Sequence, residues 1–198
     1  MTLASRWHYH VARFFILLKQ EERAAHALRK SLALNPAFGP AAQTLAFLHA
    51  SAGHYDKAIE QYQAALAISP DHADTLFNLG FLYHQQKDYA RAIDIFSRTV
   101  SINPTLDRAW YGMGLAYRSL EKYQEAAQAL ERAGKLQPMN GYAWYELGIT
   151  YYALGRHDKV HETIDYLNGF DPNLTRQLMR ETPDRGLASS ASGRSDAA

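Results

Sequence analysis

Pro36, Pro70, Pro104, Pro138 and Pro172 stand 34 residues apart. A fixed period of this length means that the chain repeats one supersecondary unit. The residues leading into each proline agree as well: Ala-Leu-Asn-Pro, Ala-Ile-Ser-Pro, Ser-Ile-Asn-Pro, Lys-Leu-Gln-Pro and Gly-Phe-Asp-Pro. Proline lacks a backbone donor and restricts the residue before it, so each one marks where a helix must stop.

Between prolines the apolar residues step as helices do. Tyr55, Ala58, Ile59, Tyr62, Ala65 and Leu66 lie on one face, and Tyr89, Ala92, Ile93, Phe96, Thr99 and Val100 repeat that face one period later. Ala24, Ala58, Ala92 and Ala126 form a small-residue series, ending in Val160. Tyr62, Phe96, Leu130 and Ile164 form a large one, and Ala46, Gly80, Gly114 and Gly148 a second small one. Glycine inside a helix costs about 1 kcal/mol against alanine, so its recurrence implies two helices approaching too closely for a side chain. The expected unit is an antiparallel helix pair. First helices are expected near 5–18, 39–52, 73–86, 107–120 and 141–154, and second helices near 21–34, 55–68, 89–102, 123–136 and 157–169.

Trp110-x-x-Met113-Gly114-x-x-Tyr117, followed by Ala126, Leu130 and Pro138, carries the signature most fully. At these residues the chain resembles the tetratricopeptide repeat family, over about residues 5 to 172. The resemblance implies an all-α fold, a right-handed superhelical solenoid of five antiparallel helix pairs with a short C-terminal capping helix. The expected layout is a single solenoid over 1–180, with repeats at about 5–38, 39–72, 73–106, 107–140 and 141–174. A capping helix follows at about 173–180, held by Leu174, Leu178 and Met179. A Ser/Ala/Gly-rich disordered tail is expected over 181–198.

The resemblance also implies a function of holding other proteins. In that architecture first helices line the concave surface, which gathers Tyr9, Phe47, Phe77, Asn78, Phe81, His84, Arg108, Tyr111, Leu115, Arg118, Tyr145 and Ile149 into a partner-binding groove. Aromatic residues concentrate at binding hot spots. An apolar groove suits an extended or amphipathic helical segment of a protein or peptide. The expected role is a protein–protein interaction scaffold, adaptor or co-chaperone-like assembly factor. The carboxylate clamp by which some tetratricopeptide domains grip heat-shock chaperones is not reproduced. Gln43, Phe47, Asn78, Arg108 and Gly112 occupy its places, and only Asn78 matches.

The two ends differ. His161 and Asn168 replace the apolar residues of earlier repeats, as suits a terminal unit. At the other end Trp7, Val11, Phe14 and Leu18 form an apolar face where no preceding repeat is seen. Its cover is open among packing in cis, self-association or another partner, and a membrane surface approached with Arg6, Arg13 and Lys19. The alternative function is therefore a self-associating or membrane-peripheral structural protein.

Composition narrows the chemistry. Lys and Arg number 21 against 20 Asp and Glu, interspersed, so no basic stripe suggests nucleic acid. The absence of cysteine excludes disulfides and thiolate metal sites and suits a cytoplasmic location, with the membrane periphery as the second expectation. The apolar run from Val11 to Leu18 is broken by Arg13 and is too short to span a membrane. His157 and His161, four apart beside Asp158 and Glu162, lack a convergent third ligand. Gly112-Met113-Gly114 belongs to the repeat rather than to a phosphate loop, and no nucleophile–base pair stands out. No cofactor, metal or enzymatic activity is expected.

Overall fold

The computed structural model describes residues 3–183. Among them are eleven α-helices and no strand. They are α1 (Leu3–Leu17), α2 (Glu21–Leu34), α3 (Gly39–Ser51), α4 (Tyr55–Ile68), α5 (Ala73–Gln85), α6 (Tyr89–Ile102), α7 (Asp107–Ser119), α8 (Tyr123–Leu136), α9 (Gly141–Ala153), α10 (His157–Asn168) and α11 (Pro172–Glu181). Two compact units form, one up to Pro104 and the other from Thr105. The first holds the pairs α1/α2, α3/α4 and α5/α6. The second holds α7/α8, α9/α10 and α11.

In the first four pairs the second helix buries a small and a large residue one turn apart. Ala24, Ala58, Ala92 and Ala126 are wholly buried, and so are Leu28, Tyr62, Phe96 and Leu130 to within a few per cent. Leu28 thus begins the large series one repeat earlier than the sequence suggested. A Cβ on Gly80 would stand 2.9 Å from the Phe96 ring, and one on Gly114 only 2.6 Å from Leu130 Cγ. These glycines are therefore the contact points of α5 with α6 and of α7 with α8. In the first pair two buried hydroxyls help. Ser5 Oγ donates to the Ser31 carbonyl at 3.0 Å, and Ser31 Oγ to the Ser5 carbonyl at 2.8 Å.

Within each pair the turn is a helix-terminal motif that also repeats. Lys19 (φ 57°), Gly53 (φ 77°), Lys87 (φ 62°), Glu121 (φ 59°) and Gly155 (φ 69°) hold the left-handed conformation, at the 34-residue spacing. The next residue then donates its N–H back to the carbonyl five residues earlier: Gln20 to Phe15, His54 to His49, Asp88 to Tyr83, Lys122 to Tyr117 and Arg156 to Tyr151. This 6→1 bond satisfies a carbonyl that the ended helix leaves open. It also explains why the first helices end one residue before the expected boundaries.

The C-terminal end departs from the expectation in detail. The fifth pair is not closed like the others, because Ile164 is only half-buried and Gly148 faces Leu178 of α11 at 2.6 Å from its would-be Cβ. Gly141 likewise admits Leu174. α11 starts on Pro172, with the Asp171 carboxylate capping the Leu174 N–H at 3.0 Å. Met179, expected to hold this helix, is exposed; Thr175, Leu178 and Thr182 are buried instead. Glu181, placed in the expected tail, instead closes α11, and the Thr182 hydroxyl donates to the Leu178 carbonyl at 2.8 Å. Residues 184–198 of that tail lie outside the described residues. His161 and Asn168 are exposed.

Two stability tests follow from this geometry. An L-residue in the left-handed region costs about 1–2 kcal/mol. Lys87→Gly is thus expected to raise the urea midpoint by the equivalent of about 1 kcal/mol, and Gly53→Ala to lower it by a similar amount. Gly114→Ala gains helix propensity of about 1 kcal/mol but forces Leu130 aside, so a net loss of about 1–2 kcal/mol is expected.

Candidate functional site

The first unit carries an open aromatic pocket. α3 presents Phe47, Ala50 and Ser51, α4 presents Tyr55 and Tyr62, and α5 presents Phe77, Asn78, Phe81 and Gln85. The cavity measures about 420 Å³. Helical spacing explains the set: Phe77 and Phe81 are four apart on α5, and Phe47 is one repeat before Phe81. Phe47 is 57% exposed and Phe81 47%, so both rings stand at the rim in water. Tyr62 is buried at the inner wall, where burial pushes its hydroxyl up to about 12 despite a side-chain hydrogen bond with Asn78. Phe77 is half-buried, with its ring 6.0 Å from Phe96. Its side chain therefore joins the pocket wall to the core of the α5/α6 pair.

Other expected groove residues of this unit are committed elsewhere. Tyr9 stacks edge-on against Phe38 at 5.3 Å and packs on the core of the first pairs. His84 is half-buried beside Tyr89 at 5.3 Å, and burial holds its pKa below the ordinary histidine value. Its Nε2 is buried without a hydrogen-bond partner.

In the second unit the corresponding faces carry a polar network. Arg118 of α7 pairs with Glu146 of α9 at 2.5 Å. Burial raises the Glu146 carboxyl above its ordinary range, and the Arg118 guanidinium pulls it back only in part. Tyr145 donates to Glu181 of α11 at 2.6 Å, and Gln177 donates to the Tyr145 hydroxyl at 3.0 Å. Burial and the neighbouring carboxylate push that tyrosine up to about 12. Tyr111, Leu115 and Ile149 are half-buried, while Arg108 and Tyr142 are exposed. Arg118 is therefore a structural cation bound to an internal carboxylate. Its partner Glu146 lies on α9, a first helix, and nothing in the sequence fixes the pairing. Glu181 and Gln177 were missed because their helix was expected to act only as a cap.

The expected N-terminal face is also visible. Trp7, Phe14 and Leu18 are exposed and Val11 half-buried. Leu3 and Leu17, which the sequence reading did not single out, are more exposed still. At the far end the His157 ring stacks edge-on against Tyr152 at 5.6 Å, so it packs against the preceding helix. Among the described residues no three His, Asp or Glu side chains converge as a metal site. Nor is any helix among them long and apolar enough to cross a membrane.

Antiparallel helix pairs with small residues at their crossing and a proline every 34 residues define a tetratricopeptide repeat protein, a class of protein-interaction scaffolds. The chain belongs to the family described as cilia and flagella-associated protein 70 C-terminal domain, which matches residues 16–166. No curated protein matches it in sequence. Among solved structures it is similar to MamA, at 19% identity over 91% of this chain and 94% of that one, with a TM-score of 0.78. MamA 41-end from Desulfovibrio magneticus RS-1 gives 19% identity, 92% and 99% coverage, and a TM-score of 0.77. YrrB, described as a TPR protein with an unusual peptide-binding site, gives 20% identity, 93% and 90% coverage, and a TM-score of 0.72. At these identities the likeness is one of fold.

The Arg118–Glu146 pair can be tested directly. Arg118→Met removes the attraction opposing burial, so the Glu146 carboxyl is expected to titrate still higher in a carboxyl-carbon NMR titration. An unchanged midpoint would mean that the pair does not form in solution.

Proposed function

We propose that this chain is a scaffold or adaptor that captures a segment of a partner protein by inserting a bulky apolar side chain between Phe47, Phe77 and Phe81. One observation carries the reading: two large aromatic rings stand in water around a cavity of about 420 Å³, with Tyr62 and Asn78 at its wall. Folding does not need Phe47 or Phe81 exposed, and pockets of this size and lining suit a few buried apolar atoms of a ligand. Asn78 and Gln85 add amide groups that can bond the backbone of an extended or helical segment. The fold shared with YrrB, described as having a peptide-binding site, agrees with peptide capture. Holding one segment while the rest of a partner stays free is the work of an adaptor or a co-chaperone-like assembly factor. The second unit supports the role less directly, since Arg118 and Tyr145 are already paired within the chain.

Random-peptide selection on the immobilised protein tests this. Enriched peptides are expected to share a bulky apolar or aromatic anchor. Phe47→Ala/Phe81→Ala should weaken their binding by on the order of a hundredfold or more, with far-ultraviolet circular dichroism unchanged. Peptides without a common anchor, or equal binding by the variant, would exclude the pocket as the capture site.

A further inference from the structure

The pocket leaves the exposed side of α1 unexplained. Leu3 is 87% exposed, Leu17 79% and Trp7 67%, and Phe14 and Leu18 are exposed beside them. At 3.6 residues per turn these five cover an arc of roughly 100°. The opposite side of α1 is anchored, with Ser5 and Ala12 buried against α2. The ridge is thus held outward by the fold rather than by a flexible segment.

Charge distinguishes this ridge from an ordinary apolar patch. Residues 1–20 contain Arg6, Arg13 and Lys19, together with His8 and His10, and no acidic residue. Arg6 and Arg13 are exposed and flank the ridge on one side. On the other side a cleft runs from Trp7, His8, Val11 and Phe15 to Arg23, His26 and Lys30 of α2, with Glu22 as its acid. Arg23 lies over the Phe15 ring at 5.9 Å and donates to Gln20 at 3.0 Å. The pattern is an apolar centre rich in Trp, Phe and Leu with cations along both edges.

From this arrangement we infer that the α1 face docks the protein on an anionic lipid surface. Trp, Phe and Leu enter the headgroup boundary, while arginine and lysine extend sideways to lipid phosphates and carboxylates. A second copy of the chain fits less well. Symmetric packing of α1 on α1 would set Arg6 and Arg13 against their own copies. The first helices of another copy offer few acids: α3 carries none, α5 and α7 carry one each in their first turns, Asp74 and Asp107, and Glu146 of α9 is paired with Arg118. The inference is independent of the aromatic pocket.

Flotation with phosphatidylcholine vesicles, with and without phosphatidylserine, tests the assignment, using the full chain. The wild-type protein is expected to float with the anionic vesicles and to release as salt is raised. Arg6→Gln/Arg13→Gln should lower partitioning on the order of tenfold, and Trp7→Ser/Phe14→Ser should abolish it. These side chains are exposed, so circular dichroism should be unchanged, and Phe47→Ala/Phe81→Ala should float like the wild type. Absence of flotation with anionic vesicles overturns the proposal, as does equal flotation of the Trp7/Phe14 variant. A wild-type dimer in light scattering that Trp7→Ser/Phe14→Ser dissociates, without flotation of either, would assign the face to a second copy instead.

Discussion

Everything in this protein hangs on the close crossing of two helices at a small side chain. Gly80 against Phe96 and Gly114 against Leu130 leave no room for a Cβ. The same crossing places a wholly buried alanine of the second helix, Ala58, Ala92 or Ala126, in the neighbouring turn. Buried apolar area and dispersion hold each pair, and both fall steeply with distance. Stacking several pairs lets each one bury what it cannot bury alone. The fifth pair confirms the dependence by departing from it. There Gly148 receives Leu178 from α11, and Ile164, the residue in phase, is left half-buried. A helix that resembles a simple lid thus supplies the large partner of the last crossing.

That substitution has consequences for the surface. Because α11 packs against α9, Glu181 and Gln177 reach Tyr145 and bond its hydroxyl within the chain. Arg118 and Glu146 add to this, since a buried carboxylate without its guanidinium would be costly. Around Phe47 and Phe81 the pocket lining is mainly aromatic and apolar, with Asn78 and Gln85 as its amides. The two faces share a periodic sequence but differ in chemistry: one offers an apolar cavity, the other a set of closed polar pairs. α1 differs again: Ser5 and Ala12 are buried and Tyr9, Val11, Phe15 and Ile16 pack on the core, while Leu3, Trp7, Phe14 and Leu17 stand outward.

How much of this was legible in the sequence depended on whether a feature repeats. The proline period, the alanine series and the glycines recur in phase, so the helix pairs could be read directly, with their boundaries good to within a residue or two. The left-handed turn recurs at the same spacing, yet it was missed. Glycine marks it at 53 and 155, but Lys19, Lys87 and Glu121 occupy it elsewhere, and long polar residues give no turn signal. Phe47, Phe77, Phe81 and Asn78 could be grouped from the sequence because they lie on successive first helices, and they line one cavity. Leu3 and Leu17 were not singled out, since exposure is decided by what packs beside a helix. Met179 was misassigned for a related reason: α11 is rotated so that Thr175 and Leu178, not Met179, face inward.

The sequence by itself determined the repeat, its helix pairs, its class and the aromatic character of its first helices. Those follow from local periodicity and from the backbone limits of proline and glycine, which act wherever the chain goes. Only the tertiary structure decided which aromatics line a cavity, that Arg118 belongs to Glu146, that Tyr9 belongs to Phe38, and that Leu178 fills the space over Gly148. Each of these is a meeting of side chains from different helices, fixed by small rotations and separations that a 34-residue pattern does not encode. The same holds for α1. Its composition was plain, but that its apolar residues stand in water between cations was settled by how it lies on α2.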